Sequence, residues 1–346
     1  MDLWANPFDS ARAASFISAY LSLQREFFVY RIFDGLNGSR ITRDYAARAL
    51  AHGVSVIHVT VNNFSTIRPY ATLSEALGEL AGIRAHYAAL NDVTHVIQSG
   101  NDFDVAQKAG KLGVVLGYQN VPGVGDDLRM LEAFRDLGVR CIQISHNKGG
   151  LYAGGCADAV DGGLTPLGRD LIAELNRLGI MIDVSHTGDR SSVEAIQASK
   201  VPVCATHANV FVVCRNVRNK SDAVLDALKT NGGVIGLCYL TPLVRMGGEK
   251  PTHADLIAHL RHVRDRIGVA HIGIGSDFIE GQPPERYQEF LRHPDVYGTW
   301  PWRFPVEDLA DQQKFFASLQ REGLSERDIQ AVAGDNFLRA FRKVLH

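Results

Sequence analysis

The sequence predicts an α/β fold that closes as a (β/α)8 TIM barrel, with an N-terminal helix and C-terminal additions. Three observations predict it. Short runs rich in Val and Ile recur along the chain, amphipathic segments of helix length separate them, and each run ends on a polar residue. In order the runs are FFVYRIF, VSVIHVTV, GVVLGYQ, VRCIQIS, IMIDVS, VPVCAT, GGVIGLCY and HIGIGS. Their apolar residues are continuous and do not alternate with polar ones, as expected of parallel strands covered on both faces. A doubly wound open sheet is the alternative arrangement of the same elements.

Each element has its own justification. The N-terminal stretch MDLWANPFDSARAASFISAYLSLQREFF lacks a basic start and an unbroken apolar core, so it reads as a surface helix and not as a signal peptide. Between the strands, LTPLGRDLIAELNRLG and SSVEAIQASK space their apolar residues at three to four, with Thr165 and Ser191 placed to cap helix starts. YAGGCADAVDGG, at 152–163, reads as a flexible Gly-rich loop edging the pocket. His253, His259 and His262 lie on one helical stretch with Asp255 and Arg261, which reads as a solvated face. GGVIG by itself is too weak a signal for phosphate binding. With no linker or low-complexity tract to divide it, 1–346 is read as one barrel domain.

Composition narrows the function classes. Of the 346 residues, 46% are hydrophobic and 21% charged, an ordinary globular balance with ample apolar material for a core. The formal charge of −2, without a basic run, argues against nucleic acid as a partner. No apolar stretch reaches the roughly 18 residues that a membrane span needs. Five cysteines, Cys141, Cys156, Cys204, Cys214 and Cys238, show no CxxC spacing, and three of them fall inside apolar runs. Free, buried thiols in a reducing cytoplasm are the expectation.

In a barrel of this kind the chemistry sits at the C-terminal ends of the strands. There the sequence places Asp34, Asn62, Gln119, His146, His186, His207, Tyr239 and Asp277, in strand order. Read singly, each has a bland explanation: a hydrogen-bonded histidine, a helix cap at Asp277, turn chemistry at Gln119 and Asn120. Three histidines and an aspartate on one rim point instead to a polar catalytic or metal site, because imidazole nitrogen and carboxylate oxygen make up hydrolytic Zn²⁺ sites. Arg218, in the loop after the sixth strand, is within reach of that rim, and its planar fork suits a substrate carboxylate.

On these residues the sequence resembles the renal (membrane) dipeptidase family, peptidase family M19 of the amidohydrolase superfamily. The resemblance rests on GLTPLGRDLIAELNRLGIMIDVSH at 163–186, PVCATH at 202–207, RNKSD at 218–222, GGVIGLCY at 232–239, GIGSDF at 273–278 and the GDNFLR ending at Arg339. It implies two zinc ions at the barrel mouth, one held by His186 and His207. It also implies that His146 polarises the scissile amide, and that Arg218 and Asp277 bind substrate. The family's other metal takes its ligands from Asp-Gly-His-Asn-Asp after the first strand, where this chain reads Asp34-Gly35-Leu36-Asn37-Gly38. The bridging glutamate of the family is matched by Gln119.

Removing one Asp and neutralising one Glu deletes two of the negative charges that would offset two Zn²⁺ ions. The expectation is therefore at most one zinc ion, on His186 and His207 with Asp277 or the Gln119 carbonyl as a third ligand. The expected activity is a metal-dependent amidohydrolase acting on a dipeptide-like or other small amide. Asp277 and His146 are the expected catalytic residues, with Arg218, Tyr239 and Asn62 around the substrate. Two other readings stand beside it: a metal-free acid/base enzyme of isomerase or lyase type, with Leu36 and Gly38 leaving apolar space, and a non-catalytic binding protein. Family analogy adds a homodimer as the expected assembly.

Overall fold

The computed structural model describes residues 29–62, 72–247, 249–282 and 303–346. The expected N-terminal helix and the residues of the C-terminal addition up to 302, apart from 281 and 282, lie outside them. Among the described residues nine strands form one sheet: β1 (Ile32–Asn37), β2 (Val54–Thr60), β3 (Thr94–Val96), β4 (Leu112–Tyr118), β5 (Val139–Gln143), β6 (Met181–Asp183), β7 (Cys204–Ala205), β8 (Val234–Cys238) and β9 (Ile272–Gly275). The pairings between these strands are parallel, and β1 pairs with both β2 and β9. Contact of β2 with β4 from Val56↔Gly113 to Thr60↔Gly117 closes an eight-stranded ring. The fold is the expected (β/α)8 barrel.

Each of the eight apolar runs overlaps a barrel strand. β3 is additional: Thr94–Val96 attaches to the first half of β4, beside Leu112–Val114. Three residues, one of them His95, are too short and too polar to stand out as an apolar run. The first strand is also displaced, running to Asn37 and not ending before Asp34. Between Asp34↔Ile57 and Asn37↔Val59, three steps on β1 face two on β2, so the strand bulges at Gly35 and Leu36.

Helices fill the connections. They are α1 (Arg43–Ala51), α2 (Leu73–Ala89), α3 (Asp102–Lys108), α4 (Leu131–Asp136), α5 (Pro166–Leu178), α6 (Asp189–Ala198), α7 (Asp222–Asn231), α8 (Thr241–Val244), α9 (His253–Ile267), α10 (Leu309–Ser318), α11 (Glu326–Gln330) and α12 (Asn336–Val344). Thr165 caps α5 as expected, its hydroxyl accepting from Gly168 N. Ser191 does not cap α6. Gly188 holds the N-cap position, and Ser191 lies in the first turn with its N–H and hydroxyl both on Asp161, at 3.0 and 2.5 Å. The Gly-rich loop is likewise tied down, since Asp158 Oδ2 accepts from Gly149 N and Gly155 N, both at 2.8 Å.

The α9 histidines depart from a uniformly solvated face. His259 is fully buried, accepting from Val210 N at 3.1 Å through Nδ1 and donating to Val244 O at 3.0 Å through Nε2. His253 and His262 pair with Asp311 and Asp222.

The barrel interior is layered. Phe33, Val56, Val115, Cys141, Met181, Cys204 and Val234 pack with Phe337 and Phe341 of α12 to form an apolar floor. Phe337 fits only because its neighbours on three strands are glycines: a Cβ at Gly35, Gly236 or Gly273 would stand 2.7, 2.9 or 2.4 Å from its ring. Burying such an aromatic contributes on the order of 2 kcal/mol. Two residues further along the same strands, the inward positions become polar: His58, Gln143, Asp183 and Thr206. That change of layer brings hydrogen-bonding side chains to the open end of the barrel.

Candidate active site

Strands β6 and β7 end three and two residues before His186 and His207, and short parallel pairing puts those ends side by side. The Nε2 atoms of the two histidines stand 3.0 Å apart. Each Nδ1 is already committed: that of His186 to Asn147 Oδ1 at 2.7 Å, that of His207 to Thr206 Oγ1 at 2.9 Å. Thr206 Oγ1 in turn donates to Asp183 Oδ2 at 2.8 Å, so it accepts from His207. Both imidazoles therefore carry their proton on Nδ1, and two Nε2 lone pairs face each other.

A shared proton does not resolve that confrontation. Burial, followed by the positive charge of Arg218, holds both histidines well below the usual histidine range. His146 stacks on His186 with ring centroids 3.9 Å apart, and for the same two reasons its pKa is pushed down to about 3. Facing lone pairs on neutral imidazoles are the donor set of a metal cation. The chain Asp183–Thr206–His207 supplies the outer support that metal-binding histidines commonly have. The pair thus fits one ion, although among the described residues no group of three or more His, Cys, Asp or Glu converges to hold one.

The β1 side does not fit a second ion. Leu36 is fully buried and belongs to none of the apolar clusters, while its carbonyl accepts from Asp277 N at 2.9 Å. Even a Cβ at Gly38 would lie 3.2 Å from Phe278 O. Asp34, inside the strand, turns its carboxylate to Ser276 and Asn37, and burial pushes its pKa up to about 6.

Arg218 is almost wholly buried. Its Nη1 donates to Ser185 O, its Nη2 to His207 O at 3.0 Å, and its Nε has no acceptor among the described residues. Asp277 is half-buried, and its pKa rises to about 6 because desolvation outweighs the opposing pull of Arg218. The thiol of Cys238 lies 4.0 Å from its Oδ2.

The remaining expected residues are placed differently. Asn62 Oδ1 accepts from Gln119 N at 2.8 Å, and Gln119 O accepts from Gln143 Nε2 at 2.7 Å, so both residues knit the rim of β2, β4 and β5. Tyr239 packs its ring against Phe278 and Phe315, on the helix side of the barrel. Strand alternation explains it: Val234 faces the barrel floor, so Cys238 takes the inward position and Tyr239 the outward one. Asn147, which orients His186, was not singled out in the sequence. Its signal is backbone geometry: among the described residues, Asn147 and Asp277 are the two non-glycine positions with positive φ, 57° and 55°. Such conformations concentrate at functional sites.

Comparison with known proteins places the chain among relatives of the same fold. The family model described as membrane dipeptidase (peptidase family M19) matches residues 18–299. Dipeptidase tcpJ of Claviceps purpurea is 28% identical over 285 residues, which cover 82% of this chain and 63% of that protein; the chain thus spans under two thirds of that relative's length. An amidohydrolase from Pseudomonas aeruginosa superposes with a TM-score of 0.81 at 27% identity, covering 96% of this chain and 99% of the other. A metallopeptidase from Rhodobacter sphaeroides, solved with a phosphinate mimic of the dipeptide L-Ala-D-Ala, has the same fold, with a TM-score of 0.74 at 20% identity over 91% of this chain and 99% of its own.

Proposed function

The chain belongs to the membrane dipeptidase family, peptidase family M19, and from that premise we propose that it is a one-metal amidohydrolase cleaving a dipeptide-like or other small amide. The observation that carries the reading is the Nε2 pair of His186 and His207, 3.0 Å apart with both Nδ1 atoms occupied. These two histidines would hold the ion, with Gln119 contributing a neutral oxygen. Zinc bound there would supply Lewis acidity and a water of lowered pKa.

The chain's own groups do the rest. Asp277, near pKa 6, is ionised at neutral pH yet basic enough to take a proton from the attacking water and return it to the leaving amine. His146 is neutral, so one of its ring nitrogens can donate to the oxygen that becomes negative at the scissile carbonyl. Arg218 offers a buried positive charge with an unpaired Nε–H, which suits a substrate carboxylate. Leu36 and Gly38 stand in the places of ligands, one a buried apolar side chain and the other with little room for a Cβ, which supports a single ion over two.

One observation favours the metal-free acid/base reading, namely that no third ionisable ligand converges on the histidine pair among the described residues. Elemental analysis of protein purified without added metal, beside His186→Ala, separates the two. About one zinc-like ion per chain, lost in the variant together with release of amino acids from D- and L-dipeptides, supports the hydrolase. Full activity in chelator would sink it.

A further inference from the structure

We propose that Asp34 is the positioning residue for Asp277: by fastening Ser276 to β1 it holds Asp277 in the left-handed backbone conformation that aims its carboxyl at the site. The inference rests on Asp277 being the proton-transferring group. Asp34 is not itself in the site. It is a buried carboxylate inside β1, and its bonds cross to the end of β9.

Those bonds converge on the residue before Asp277. Ser276 N donates to Asp34 Oδ1 at 2.7 Å, and Ser276 Oγ donates to Asp34 Oδ2 at 2.5 Å. Asn37 Nδ2 adds a third donor to Oδ2 at 2.9 Å. The same serine oxygen accepts from Phe278 N at 3.2 Å. Asp277 N is bonded to Leu36 O at 2.9 Å, and Gly38 N to Phe278 O at 2.7 Å. Positions 276, 277 and 278 are therefore each tied to the bulged segment 34–38, with Asp34 taking both donors of Ser276.

The backbone needs such a clamp. A φ of 55° is unfavourable for a residue with a Cβ, although aspartate tolerates it better than most. Three donors meeting one side chain require a group that only accepts, which an ionised carboxylate is and an amide is not. Asp34 stays buried against a desolvation cost large enough to raise its own pKa, so the position is held by what the carboxylate does for Ser276.

The competing account is that Asp34 merely stitches β1 to β9, where it already pairs with Ile274. Crystal structures and kinetics of Asp34→Ala, Asp34→Asn and Ser276→Ala distinguish the two. In Asp34→Ala we expect Asp277 to leave the left-handed region, its bond to Leu36 O to break, and kcat to fall about 100-fold with KM changed about twofold or less. Asp34→Asn, which keeps one acceptor for Ser276 N but sets an amide N–H against the other donors, restores the turn and kcat only in part. If Asp34→Ala does not fold, Ser276→Ala carries the test and shows the same displacement. A variant that retains the turn at Asp277 and the wild-type kcat while losing only stability overturns the proposal. Failure of the premise is separate: Asp277→Asn with wild-type activity would dismiss Asp277 as the base, whereas the displacement of its backbone is still read from the structures.

Discussion

The Nε2 atoms of His186 and His207 meet at 3.0 Å although neither ring is placed to share a proton with the other. Thr206 decides this for His207 by accepting its Nδ1–H while donating to Asp183. Thr206→Val removes that acceptor and leaves the ring free to turn. The variant is expected to fold and to bind Zn²⁺ about 10–100-fold more weakly, as measured by competition with a chelating dye. Unchanged affinity would dissociate the Asp183–Thr206 relay from metal binding.

Asp277 links activity and stability to pH in opposite senses. Its carboxyl must be ionised to accept a proton, so kcat/KM should rise with pH through about 6, with a slope of one proton. Its folded pKa is above the unfolded one, so the native state holds the proton more tightly, and stability falls as pH rises from about 4 to 6. Asp277→Asn in chelator-treated protein should therefore be more stable than wild type at pH 7, by up to about 3 kcal/mol, while losing at least about 100-fold in activity. Urea denaturation at pH 4 and pH 7 reads the first effect; a variant no more stable at pH 7 than wild type would contradict it.

His259 works the other way. Burial pushes its pKa down to about 4, against the opposing effect of the Nε2–H bond to Val244 O. Protonation is then easier in the unfolded chain, so stability is present above about pH 6.5 and is lost as pH falls towards 4. The slope amounts to about 3 kcal/mol over that window. Thermal melts of wild type and His259→Gln across pH 4–7 should show the slope diminished in the variant.

The floor of the barrel predicts a steric result. Gly273→Ala would set a Cβ 2.4 Å from the Phe337 ring, which neither the strand nor the plugged helix can easily relieve. Destabilisation of about 2–3 kcal/mol is expected by chemical denaturation, partly recovered in Gly273→Ala/Phe337→Leu. Additive losses in the double variant would mean that Phe337 is not the obstacle.

Much of this architecture was written locally. Strands buried on both faces must be apolar throughout, so eight of them were readable as runs, and the residues after them, His146, His186 and His207, as rim positions. Leu36 and Gly38 were equally legible as departures from a metal-binding pattern. What escaped had no local signature. Thr94–Val96 is too brief to show a period, and His259 looks like any polar residue on a charged helix until α9 is packed against the loop at Val210. Tyr239 and Cys238 exchange roles according to which face of β8 turns inward.

The sequence by itself determined that the chain forms a parallel barrel with histidines at its mouth, because hydrophobic continuity and strand-end polarity are properties of neighbouring residues. Only the tertiary structure decided how those groups act. The proton positions on His186 and His207 depend on Asn147 and on Thr206 with Asp183 behind it, and the posture of Asp277 depends on contacts with β1 some 240 positions away. Hydrogen bonds and desolvation depend on distance in space, and that is fixed only when the ring of strands closes.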